Sequence, residues 1–146
     1  MLHFEDFSPG QSYAFGPHTV TRAEIVAFAA EFDPQPFHLD EAVAAGTLLG
    51  GLAASGWHTC ALFMRMMYDG WLKDSASMGS FGVDTLRWKR PVRPDDVLSG
   101  RSVVLECKAS SRPDRGYVRF RHEVEDAAGN AVMVLENPVI FGRRGA

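Results

Sequence analysis

Ser55-Gly-Trp-His-Thr-Cys-Ala-Leu-Phe-Met-Arg-Met-Met-Tyr-Asp-Gly-Trp71 decides how this chain folds. Its apolar residues, among them Trp57, Phe63, Met66, Met67 and Trp71, fall on nearly every face of a 3.6-residue period, which predicts a buried helix. At 1.5 Å per residue such a rod runs about 25 Å, the span of a small domain. Ser55 suits the N-cap, and Gly56 after it leaves the first amides unshielded. Those N–H groups sit at the positive end of the helix dipole. They form either an oxyanion site for a substrate carbonyl or the ordinary start of a capped helix. His58, one turn inside, reads as a packed or hydrogen-bonded core histidine.

Downstream of about Ser77 the pattern changes to period two. Phe81–Trp88, Val97–Ser110, Tyr117–Asp126 and Ala131–Phe141 alternate as strands, with turn signals at Ser111–Gly116 and Asp126–Asn130. Between the first two lies a proline-kinked link, Lys89–Asp96. Strands of this length joined by short turns predict a four-strand antiparallel meander with one face packed. Upstream, a short strand is expected at Gln11–Phe15. Thr21 with Glu24 has the form of a capping box, opening an amphipathic helix over Arg22–Phe32. A short helix follows over Asp40–Ala45, stopped by Gly46, and then a glycine-rich connector without the Lys-Ser/Thr of a phosphate loop. The long helix is the one apolar rod able to cover the sheet, so the expected class is α+β, a sheet curled round a central helix in a single domain over 1–146.

Composition narrows the function. The chain has 146 residues, 46% of them hydrophobic, enough for one core. A net charge of −3 gives no footprint for nucleic acid. The amino-terminal residues lack the basic and apolar regions of a signal peptide, and no apolar run is long enough for a bilayer. Cys60 and Cys107 read as reduced thiols, and a cytoplasmic location is expected. The five histidines lack partners at ligand spacing, so no metal site is expected.

The candidate chemistry lies at Glu31-Phe-Asp-Pro-Gln-Pro-Phe-His38. Asp33 and His38 offer a carboxylate and an imidazole, the usual groups for acid–base work near neutral pH. Pro34 and Pro36 hold Asp33 and Gln35 extended and stop the incoming helix by about Phe32. From these residues alone, the stretch is either a stiff acid–base mount or a proline-rich turn whose Asp and His face water.

Asp33, Pro36 and His38, followed by Leu39-Asp40 and later Gly56, resemble the pattern of MaoC-like dehydratases, the family of the (R)-specific enoyl-CoA hydratases. Arg90-Pro-Val-Arg-Pro-Asp-Asp96 resembles a second family element, with Asp95 where glycine is usual. The resemblance implies a hot-dog fold and hydration of a trans-2-enoyl thioester to a 3-hydroxyacyl thioester, or the reverse. It places catalysis on Asp33 and His38 and the oxyanion-hole amide on Gly56. It implies no cofactor beyond the coenzyme A of the substrate, and a homodimer or dimer of dimers. Gln35 departs from the family's asparagine. Two rivals remain. One is a non-catalytic acyl-CoA or lipid-binding hot-dog domain. The other is a hot-dog thioesterase, disfavoured because the long helix has no carboxylate before Asp69.

Arg87, Lys89, Arg90 and Arg93 crowd into one short stretch of an acidic chain. Arginine forks suit the phosphates of coenzyme A, and the proline kink points to Arg90 and Arg93 for that task. The alternative is a strand end blunted by charge.

Overall fold

Thr21 and Glu24 start α1 (Arg22–Phe32) in the computed structural model, which describes residues 1–145. Glu24 N–H donates to Thr21 Oγ1 at 3.1 Å and Thr21 N–H donates to Glu24 Oε1 at 2.8 Å, closing the expected capping box. Asp40 caps α2 (Glu41–Ala45), its Oδ1 accepting from Val43 N–H at 2.9 Å. Ser55 caps α3 (Gly56–Gly70), its Oγ accepting from Trp57 N–H at 3.3 Å.

The sheet has six strands: β1 (Ser12–Thr19), β2 (Ser77–Gly79), β3 (Thr85–Trp88), β4 (Val97–Ala109), β5 (Arg115–Glu125) and β6 (Ala131–Gly142). The order is β1-β4-β5-β6-β2, with β3 also paired to β6. Every pairing between these strands is antiparallel. This is the hot-dog arrangement, an α+β fold in which the sheet wraps α3.

Three expectations need correction. The meander holds only for β4-β5-β6. The free edge of β4 is taken by β1, from Ser12↔Val103 to Thr19↔Val97, so the strand after α3 pairs with β6 instead. Lys89–Asp96 must therefore cross the sheet to reach β4, and it does so on the helix side, with Val92 in the core. The first strand runs on past Phe15 to Thr19 through a register shift at Gly16-Pro17. Finally, α3 is not buried all round. Thr59, Phe63, Met66 and Met67 face the core, while Trp57, Met64 and Tyr68 are 60%, 46% and 48% exposed. A sheet curling round one side of a rod covers only that side. No helix among the described residues is long and apolar enough to cross a membrane.

The core joins α3 to the sheet through Phe63, 5.6 Å from Phe15 of β1 between ring centroids, and aromatic contacts continue around it. Phe7 lies 4.4 Å from Phe141, and Trp71 lies 5.4 Å from Phe120, between ring centroids. Along β5, Gly116, Val118, Phe120, His122 and Val124 are buried, alternating with half-buried polar and aromatic residues. His122 is the exception in chemistry. Trp71 Nε1–H donates to Ser102 Oγ at 3.2 Å, and the Ser102 hydroxyl donates to His122 Nδ1 at 2.8 Å. His122 Nε2–H then donates to Asn137 Oδ1 at 2.9 Å, and Asn137 Nδ2–H to Ser80 Oγ at 3.3 Å. This sense of donation suits a neutral imidazole, and burial pushes the His122 pKa down from 6.5 to about 4.

Because the folded pKa lies below the unfolded one, neutral His122 contributes its full stability above about pH 6.5. That contribution is lost as pH falls from there toward 4, up to about 3 kcal/mol. Denaturant unfolding of His122→Gln should show a shallower fall in stability across this window than the unmodified protein. Equal slopes would remove His122 as the cause.

Candidate active site

The last turn of α1 delivers the backbone to Asp33, which leaves the helix at φ −149°, with its N–H still donating to Ala29 O at 2.9 Å. Gln35 is extended, as a residue before proline must be, and Pro36–His38 then forms one tight 3₁₀ turn. That turn curls back. It brings His38 Nε2 to 3.4 Å from Asp33 Oδ2, although the two lie on opposite sides of the prolines in sequence. Both side chains are largely buried, so they do not sit in open water as a plain surface turn would have them.

Each atom of the pair is held. His38 Nδ1–H donates to Ala53 O at 2.6 Å, which leaves Nε2 as the nitrogen facing Asp33. Asp33 Oδ2 accepts from the Ser55 hydroxyl at 2.7 Å, and Oδ1 accepts from Gln35 Nε2 at 2.8 Å. The Ser55 hydroxyl does most to hold the Asp33 carboxyl below its usual pKa; desolvation pushes the other way, and Gln35 and His38 add to the lowering.

Ser55 also begins α3, so the carboxylate lies beside the helix start. Trp57 N–H is taken by Ser55 Oγ, whereas Gly56 N–H has no acceptor among the described residues. Gly56 is glycine for a visible reason. A β-carbon there would clash with the Trp88 indole, which lies directly against the helix start. A cavity of about 290 Å³ opens at this point, lined among others by His38, Ala53, Gly56, Thr59, Trp88 and Arg90. A second depression, of about 300 Å³, lies at Phe81, Tyr117 and Arg119, away from these groups.

The model of the MaoC like domain matches residues 6–126. This chain belongs to that family. A solved MaoC-like dehydratase from Rhodospirillum rubrum is 41% identical, with 100% of both chains covered and a TM-score of 0.93. The (R)-hydratase PhaJ1 of Pseudomonas aeruginosa is 27% identical over 98% of this chain and 87% of that one, with a TM-score of 0.73. Among curated relatives, the uncharacterized protein YdeM of Bacillus subtilis is 32% identical over 98 residues, 66% of this chain and 69% of YdeM. The chain spans only 30% of the length of Protein MaoC of Klebsiella aerogenes, at 29% identity.

Two departures from the family pattern have structural answers in this MaoC-like domain. Gln35, in place of asparagine, still reaches the Asp33 carboxylate. Asp95, in place of glycine, has φ +72°, the left-handed conformation that glycine adopts freely and aspartate tolerates.

The two arginines part company. Arg90 lines the cavity beside His38, and its exposed guanidinium lies 3.6 Å from the partly buried Asp126 Oδ2. Arg93, expected at the phosphates with it, is engaged elsewhere. Its guanidinium donates to the carbonyls of Gly51 at 2.7 Å, Leu52 at 3.3 Å and Leu49, pinning the connector before α3. The reach of the guanidinium to carbonyls far away in sequence made that contact invisible from the chain alone.

His58 is packed, as expected for a core histidine, with its ring stacked on Phe28 at 4.7 Å and 10°. Its Nδ1 has no partner among the described residues, and burial pushes its pKa down. Ser55 does more than cap the helix. Its position before a helix signalled the cap, but nothing local signalled the hydrogen bond to Asp33.

Proposed function

We propose that this protein adds water to a trans-2-enoyl thioester to give a 3-hydroxyacyl thioester, or runs the reverse dehydration. The observation that carries this reading is that His38 and Gly56 line one partly apolar cavity while Asp33 Oδ2 lies 3.4 Å from His38 Nε2. The similarity to an (R)-hydratase supports it. A thioester carbonyl oxygen at the Gly56 N–H would be stabilised as it gains enolate charge; loss of one such donor typically lowers rate by ~10²–10³. Water held by Asp33 Oδ2 and His38 Nε2 attacks the β-carbon. The pair takes one proton from the water and returns one to the α-carbon. The step balances with water and substrate alone, and coenzyme A enters as part of the substrate.

General acid–base groups usually contribute ~10²–10⁴-fold. Asp33→Asn and His38→Ala should each lower hydration of crotonyl-CoA by at least ~10², with the far-ultraviolet circular dichroism unchanged. Near-normal turnover by either variant would defeat the assignment.

Arg90 is the proposed contact for the coenzyme A phosphates, since it lines the cavity and keeps an exposed guanidinium. Arg90→Ala should raise KM for crotonyl-CoA with little change in kcat, and less so as salt rises. Crotonyl-N-acetylcysteamine has no phosphates, so its KM should not change. Equal weakening of both substrates would place the phosphates elsewhere.

A homodimer is also proposed, supported by the exposed Trp57, Met64 and Tyr68 on α3 and by the open sheet edges at β1 and β3. Light scattering at micromolar concentration should return twice the 16.1 kDa chain mass. An active monomer would rule the dimer out.

A further inference from the structure

Ser55 is fully buried and is the N-cap of a helix of 15 residues. An N-cap serine normally turns its oxygen to the helix amides and needs no further partner. Here the same oxygen accepts from Trp57 N–H at 3.3 Å while its proton goes to Asp33 Oδ2 at 2.7 Å, the shorter and charge-assisted bond. Asp33 Oδ2 is also the oxygen that faces His38. The hydroxyl therefore links the helix start that carries the Gly56 amide to the carboxylate that would hold the water.

We propose that Ser55 is a positioning residue for the reaction, aiming Asp33 Oδ2 and keeping that carboxylate charged from the helix start on which the Gly56 amide is mounted. The inference rests on the hydration reading for its catalytic consequence, but the carboxylate contact stands apart from it. The groups that face Asp33 are few. His38 is the titratable one, 3.4 Å away; Gln35 and Ser55 are neutral donors, and Lys89 and Arg90 line the cavity that His38 lines. Of the neutral donors, Gln35 holds Oδ1, so Oδ2 depends on Ser55.

Removing the donor must raise the pKa of Asp33, because the ionised form loses a hydrogen bond that the protonated form does not need. Glycine substitutes for serine at an N-cap at a cost of only a few tenths of a kcal/mol, so Ser55→Gly deletes the hydroxyl and spares the helix. Ser55→Thr keeps the hydroxyl, and Ser55→Ala deletes it with a weaker cap.

The Asp33 carboxyl titration, followed by carbon-13 NMR, should move to higher pH in Ser55→Gly and Ser55→Ala and return toward the original value in Ser55→Thr. The acidic limb of the kcat/KM profile for crotonyl-CoA should move the same way, each unit lowering activity on that side about tenfold. On the alkaline side, where Asp33 is ionised in every variant, the loss should be smaller. An Asp33 titration that does not move in Ser55→Gly overturns the inference, whatever the activity. A titration that moves as expected, in a protein that hydrates no enoyl thioester, supports the carboxylate contact and defeats the hydration reading instead.

Discussion

Four consecutive residues, Ala53 to Gly56, tie the molecule together. Ala53 O receives the His38 imidazole, Ala54 N–H bonds to Val92 O on the crossing link at 2.9 Å, Ser55 caps α3 and holds Asp33, and Gly56 lies against Trp88. Three of these four contacts use main-chain atoms or the absence of a side chain. They hold only while the backbone of all four segments stays in place. The constraint therefore comes from the fold: α3 must begin where α1 ends and where the link between β3 and β4 passes.

The crossing link follows from this same constraint. Because β1 occupies the edge of β4, the chain leaving β3 has to travel over the sheet before it can start β4. Its shortest path runs past the start of α3, which buries Val92 and brings Trp88, Lys89 and Arg90 to the cavity. A strand order chosen by edge pairing thus sets the lining of the candidate site. Arg93 reinforces the arrangement by gathering the carbonyls of Leu49, Gly51 and Leu52, which orders the connector on its way into Ala53.

Two buried imidazoles show how context divides one residue type into different roles. His122 has both ring nitrogens engaged inside the sheet, and burial holds it neutral. His38 has one nitrogen engaged by a backbone carbonyl and the other turned to a carboxylate beside a cavity. The first arrangement completes a polar chain in the core; the second leaves Nε2 facing the Asp33 carboxylate.

The amino-acid sequence by itself determined the elements with local causes. The Thr21–Glu24 capping box, the proline stop after Phe32 and the Ser55 N-cap all act within one turn, so α1 and the start of α3 stand where the residues predict them. The family pattern at Asp33, His38 and Gly56 was legible for the same reason, being a set of residue types at short spacing. Only the tertiary structure decided the strand order, the exposed face of α3, the 3.4 Å approach of Asp33 and His38, and the separate fates of Arg90 and Arg93. Those depend on which edges pair and which distant carbonyls come within reach, and hydrophobic period carries no information about either. Ser55 stands on the boundary. Its cap was written in the chain, but its bond to Asp33, made across 22 positions of sequence, came only with the fold.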